Sequence, residues 1–264
     1  MDCPNTTISL NKDKRIGKVL FIVEGEKTEP YILCRIFEKI FDYHYTRISR
    51  QGKMTYDVVS SKRHDLSQVF VVNAAESNIS NIKSGNEYLD RLFTLLINEH
   101  SIDFENAAIF YLWDRDCESN ADKTAIRELL SSLRNPRDSF DYERQGLLLL
   151  SYPSVEAYTA SGFITDAYKM TAATGKTLKR ELHTKNILQN NISEDTVEAA
   201  VRELQKSLWS FEIDFSKMDI DDMADTNLRV FNGEERFFQK NGMYRLLSML
   251  SVALINLGLI EIGT

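Results

Sequence analysis

The apolar run Val19-Leu20-Phe21-Ile22-Val23 constrains this chain more than any other stretch. Its β-branched and aromatic residues read as a strand buried on both faces, the kind found inside an α/β sheet. The run stops at Glu24-Gly25 and passes at once into helical spacing. Tyr31, Ile32, Leu33, Ile36, Phe37 and Ile40 recur on one face, with Pro30 suited to the first turn. Strand, tight acidic turn and helix are therefore written in direct succession. In open α/β sheets, ligands sit at the carboxyl ends of the strands. Glu24, Glu26 and Glu29 crowd that position, and like charges so close are relieved by a bound cation.

A second run, Ala107-Ala108-Ile109-Phe110-Tyr111-Leu112-Trp113, has the same character and ends in Asp114-Arg115-Asp116. A polar turn leads from it into a helical pattern at Ile126, Leu129, Leu130 and Leu133. If the two strands lie parallel in one sheet, Glu24, Asp114 and Asp116 meet at one edge. Residues two apart at an extended strand end point the same way, so both aspartates are expected to face one cation site, with Arg115 directed away. Carboxylate oxygens are hard ligands, so the expected ion is Mg²⁺ or Mn²⁺.

Between these strands the pattern is β-like at Tyr56–Val59 and Val69–Val72, then helical from Ser84, with Glu87 completing a capping box. A third apolar strand, Gly146 to Leu150, ends at Tyr152-Pro153, and Glu156 opens a short helix after it. Past residue 160 the composition turns helical. Ser193 is placed to cap a helix whose first turn carries Glu194 and Asp195, as the helix dipole favours. Residues 234–260, rich in Leu and Met, read as a long final helix or helix pair. Its broad apolar face reads first as the core of a bundle and second as a dimer interface, and a patch of that size predicts a homo-oligomer or partner complex. Arg245 and Asn256 within it argue against a membrane span. Residues 1–17 are polar, with Lys12, Lys14 and Arg15, and read as a solvated arm.

The net charge of −7 argues against a broad electrostatic grip on nucleic acid, although a local basic groove is compatible with it. Three cysteines without short spacing and four scattered histidines do not make a zinc site. Sparse cysteine and no basic apolar leader point to the cytoplasm. Ala173-Thr174-Gly175-Lys176-Thr177 lacks the earlier glycine and the strand of a phosphate-binding loop, so Lys176 is read as a helix-surface lysine. The acidic stretch at 214–225 lacks the calcium-loop pattern of an EF-hand and reads as a solvated loop.

The strand ending in Glu-Gly and the later strand ending in Asp-x-Asp together resemble the Toprim domain of topoisomerases, bacterial primases and OLD-family nucleases. The string Ile22-Val23-Glu24-Gly25-Glu26-Lys27-Thr28-Glu29-Pro30 is most similar to the RloB-like branch, associated with phage defence. Tyr152-Pro153-Ser154-Val155-Glu156-Ala157-Tyr158 is similar to an Asn-Pro-x-Phe-Glu-x-Trp string of that branch, with Tyr152, Val155 and Tyr158 departing from it. The resemblance covers residues 18–160, with room for an inserted element around 45–80. It implies a Toprim-like sheet with flanking helices over 18–160, and composition adds a mainly helical region over 161–264.

For function, the resemblance implies a metal-dependent nuclease acting in anti-phage defence on tRNA or DNA. Glu24, Glu26, Asp114 and Asp116 would be catalytic. Glu24, Glu29, Asp114, Asp116 and Glu156 would hold the metal, and Lys27 would contact substrate phosphate. Such proteins work with an ABC-type ATPase, as in PARIS-type systems, and that ATPase is expected to be a separate subunit. The rival reading is a non-catalytic sensor or regulatory subunit stabilised by a structural cation.

Overall fold

The computed structural model describes residues 6–49, 56–74, 78, 79, 82, 86–100, 106–118, 120–137 and 146–263. It is an α/β structure with a mixed central sheet. The elements up to the third apolar strand are β1 (Thr7–Leu10), β2 (Lys18–Val23), α1 (Thr28–Lys39), β3 (Tyr43–Ile48), β4 (Tyr56–Ser61), β5 (Gln68–Asn73), α2 (Asn86–His100), β6 (Ala108–Asp114), α3 (Lys123–Ser132), β7 (Arg134–Asn135) and β8 (Gly146–Tyr152). The remainder comprises α4 (Glu156–Phe163), β9 (Thr171–Ala172), α5 (Gly175–Thr184), α6 (Glu194–Trp209), α7 (Ala224–Asn241), β10 (Tyr244–Arg245), β11 (Leu247–Ser248), α8 (Leu250–Asn256) and β12 (Ile260–Gly263).

The sheet runs β11-β8-β6-β2-β5-β4-β3, with β7 also on β8. Its centre, β8-β6-β2-β5, is parallel, and β4, β3 and β11 are antiparallel to their neighbours. The apolar runs form these central strands because only a site covered on both faces hides every side chain of such a run. Val19, Leu20, Phe21, Ile22 and Val23 are each 0% exposed. Phe21 stacks on Phe110 of β6 at 5.2 Å and meets Phe37 of α1 at 6.3 Å, which ties the first helix to the middle of the sheet.

The chain leaves β2 toward β5 on one side and returns to β6 on the other. The order therefore reverses at β2, and a crevice opens at the carboxyl ends of β2 and β6. The β3–β4 hairpin occupies the place of the expected insertion and extends the sheet beyond β5.

Three expectations are corrected. The solvated N-terminal arm contains β1, which pairs antiparallel with β12, and its basic residues Lys12, Lys14 and Arg15 follow that ribbon. The long final helix is broken. Gly242 at φ +67° ends α7, with its N–H bonded to the Phe238 carbonyl at 2.8 Å, a left-handed cap that favours glycine. Two short strands and α8 follow, and β11 joins the edge of the main sheet. The apolar face of this segment is spent inside the chain: Leu246, Leu247, Leu250, Leu254 and Leu257 are all buried, which removes the case for an oligomer built on it. Of the large apolar residues in 234–260, Met243 is exposed.

Ser193 caps α6 as expected, through its Oγ and the Thr196 N–H. The Ser84 capping box lies outside the described residues. Among the described residues no helix is long and apolar enough to cross a membrane.

Candidate functional site

The carboxyl ends of β2 and β6 are locked together through Glu24. Its backbone N–H donates to the Leu112 carbonyl at 3.1 Å, and its Oε2 accepts the Asp114 N–H at 2.9 Å. Asn73, at the end of β5, donates its side-chain amide to the Glu24 carbonyl at 2.8 Å. Asp114 is fixed in turn: its Oδ1 accepts the Val155 N–H at 2.8 Å, and its carbonyl accepts the buried Asn120 amide at 2.9 Å. The turn after β2, the end of β6 and the turn before α4 thus converge on one point.

Glu29 reaches this point from the first turn of α1. It is buried, and its Oε1 accepts the Gly25 N–H at 3.1 Å. A Cβ at residue 25 would lie 2.3 Å from Glu29 Oε2, so a side chain there would displace the carboxylate; glycine is needed for that close approach. Glu156, the first residue of α4, is buried as well. Its Oε2 accepts the Ser154 hydroxyl at 2.7 Å, and its Oε1 lies 3.8 Å from Lys179 Nζ. Lys179 comes from α5, whose first residue, Gly175, packs so closely on Ser154 that a Cβ would approach its side chain to 2.7 Å.

The electrostatics follow from this convergence. Burial pushes the Asp114 carboxyl well above the ordinary carboxylate range, and the charges of Glu29, Glu24 and Glu156 push it further. Glu29 is raised chiefly by burial and then by Glu156, with Gly25 and Lys179 opposing. A protein can keep such a group of carboxylates together by protonating some of them or by binding a cation. The donors are hard oxygens in negative excess, which suits Mg²⁺ or Mn²⁺. Among the described residues no group of three or more His, Cys, Asp or Glu side chains stands ready to hold a metal ion.

Of the residues named from sequence, Glu24, Glu29, Asp114 and Glu156 are brought together. Asp116 is not among the charges acting on Asp114. The strand ends at Asp114, so the two-residue alternation stops there, and Asp116 Oδ1 accepts the Glu118 N–H at 2.9 Å within the next turn. Glu26 and Lys27 are exposed and line a neighbouring cleft. Arg115 points away, as expected: its guanidinium is buried against Glu235 of α7 at 2.7 Å. Lys176 is exposed on α5. Sequence reasoning missed Lys179, one turn beyond Lys176, along with Ser154, Asn73 and Asn120. For Lys179 the available signal was the basic, amphipathic pattern of residues 175–190.

No family model, curated protein or solved structure matches the chain.

Proposed function

We propose that this chain is a Toprim-like, metal-dependent nuclease that hydrolyses phosphodiester bonds in tRNA or DNA, serving as the effector of an anti-phage system with a separate ABC-type ATPase. The observation that carries the reading is the meeting of Glu24, Glu29, Asp114 and Glu156 at the strand-order reversal of a parallel sheet. The parallel order β8-β6-β2-β5, with Glu-Gly closing one central strand and Asp-x-Asp the next, supports the Toprim resemblance.

In this reading Glu24 and Asp114 would hold the cation from adjacent strands, and Glu29 and Glu156 would complete its surroundings. A bound Mg²⁺ or Mn²⁺ would polarise the phosphoryl oxygen and lower the pKa of an attacking water. Ser154 orients Glu156 through its hydroxyl. Lys179, mostly exposed beside Glu156, is placed to meet a substrate phosphate and offset its charge. Glu26 and Lys27, exposed on the acidic turn, line the neighbouring cleft, where Lys27 would be available to a phosphate.

The test is cleavage of tRNA and plasmid DNA by the purified chain with Mn²⁺, alone and with its ATPase, against Glu24→Gln. Cleavage that disappears in the variant supports the reading. Stabilisation by metal without any cleavage would instead favour the sensor, in which the same carboxylates fix a structural cation.

A further inference from the structure

Beside the acidic centre lies a cleft of about 790 Å³, between one face of α1 and the β3-β4-β5 side of the sheet. That volume is in the range of ligand sites and admits about one or two nucleotides, not a double helix. Its floor is the cross-strand pair of Asp57 opposite Val71, and the exposed Arg47, opposite Asp57 on the outer strand, stands at the rim. Asp57 is buried, accepts the Tyr45 hydroxyl at 2.8 Å and lies 3.9 Å from Arg47 Nε. One wall is a platform on α1. Tyr31 is 39% exposed, and the Arg35 guanidinium lies 5.4 Å from its ring centre and donates to its hydroxyl at 3.1 Å. The end of the cleft is Asn73, whose amide holds the Glu24 carbonyl, so the cleft opens directly onto the strand end that carries Glu24.

We infer that this cleft receives an unpaired nucleotide of the strand being cut, which makes single-stranded segments the preferred substrate. The inference rests on the nuclease reading of the adjacent carboxylates. A flat aromatic face backed by a guanidinium stacks a base of any sequence. Lys27 and Arg47 at the rim suit the backbone phosphates on either side. The buried Asp57 carboxylate on the floor accepts from base amino groups, as carboxylates do from cytosine N4. Cys34, also on the wall, is pushed up to about 12 by burial and by Asp57, so it stays a neutral thiol and offers no nucleophile there. The chain's net charge of −7 agrees with a local grip of this kind, not a broad one along a duplex.

The experiment is fluorescence anisotropy in metal-free buffer with a short labelled RNA strand, the same strand annealed to its complement, and a free mononucleotide as competitor. Tyr31→Ala and Arg47→Ala should each weaken single-strand binding by about ten-fold and leave duplex binding unchanged. Tyr31→Phe should bind like wild type, because it keeps the stacking face. Unchanged thermal unfolding of the variants excludes a folding defect. Equal affinity for strand and duplex, no binding by wild type, full binding by Tyr31→Ala, or a mononucleotide that competes as well as the strand would each overturn the inference. Mn²⁺-dependent cleavage is scored separately. A wild type that binds strands through Tyr31 but never cleaves defeats the nuclease reading alone, whereas a cleaving wild type with unaffected variants defeats the cleft alone.

Discussion

Glu234 and Glu235 lie buried on α7, and each faces a cation. Arg245 Nε bonds Glu234 Oε1 at 2.7 Å, while Arg115 and Lys123 each reach Glu235 at 2.7 Å. The Arg115 guanidinium also lies near the rings of Phe231 and Tyr244 and donates to the Asn120 carbonyl. At the carboxyl ends of β2 and β6 the balance is different. Glu24, Glu29, Asp114 and Glu156 act on one another, and Lys179, largely in solvent, stands 3.8 Å from Glu156. Both regions remove carboxylates from water, which is costly without compensation. The first faces cations supplied by the chain itself and is a structural joint, although burial still raises the Glu234 carboxyl. The second faces mainly other carboxylates, and on that contrast rests the proposal of an external cation there.

Substitutions can break or sharpen this contrast. The largest effect is expected in the paired region. Glu235→Ala leaves the Arg115 charge buried without its partner and should lower stability by roughly 3–5 kcal/mol, measured by urea unfolding. Glu24→Gln in the same assay should cost far less, because removing a charge from the crowded site relieves repulsion. If the two cost the same, the contrast between the regions is wrong.

Next in size is activity. Glu24→Gln and Asp114→Asn should each reduce Mn²⁺-dependent cleavage by about a hundred-fold or more, as loss of metal-site groups commonly does. Asp116→Asn should lose much less, since that side chain builds the following turn. An Asp116→Asn variant as inactive as Asp114→Asn would mean that binding pulls Asp116 inward, toward a second cation. Smaller still, Lys179→Ala should slow cleavage by about ten-fold, whereas Lys176→Ala should leave it unchanged. Equal effects at both lysines would remove Lys179 from the site.

The smallest effect is on pH dependence without metal. Asp114 and Glu29 have folded pKa values raised above their unfolded ones, so the folded state binds more protons between those values. Their contribution therefore turns less favourable as pH rises from the unfolded carboxylate value, about 4, through the raised folded values. The thermal unfolding temperature of Asp114→Asn, in chelator, should gain on wild type as pH rises through that window. A constant difference between the two proteins would show that Asp114 is not raised.

The central strands could be read directly because Val19–Val23 and Ala107–Trp113 have no polar side to expose, and a run of that kind has few other places to go. Glu24 and Asp114 were visible because each interrupts such a run. Glu29 was harder: a carboxylate in a first turn usually faces water, and only the missing side chain at Gly25 lets this one fold back and become buried. Lys179 could not be picked out, because nothing in a basic helix says which lysine its packing turns toward Glu156. That is settled by the contact of Gly175 with Ser154. The Arg115–Glu235 joint links residues far apart in the chain and leaves no local pattern. The final helix was over-extended because a glycine within an apolar stretch looks the same whether it lies inside a helix or ends one; Gly242 ends it.

The most direct measurement is Mn²⁺ binding to the purified, chelator-stripped chain, followed by calorimetry and by the shift in thermal unfolding. Wild type should bind the ion with release of protons and gain about 2.7 kcal/mol of stability at a hundred-fold excess over the dissociation constant. Glu24→Gln should lose most of that gain, and Glu235-bearing α7 should be unaffected as judged by the unchanged cooperativity of unfolding. Wild type that neither binds nor gains stability, or a Glu24→Gln protein that gains as much as wild type, would contradict the claim that these carboxylates hold a cation.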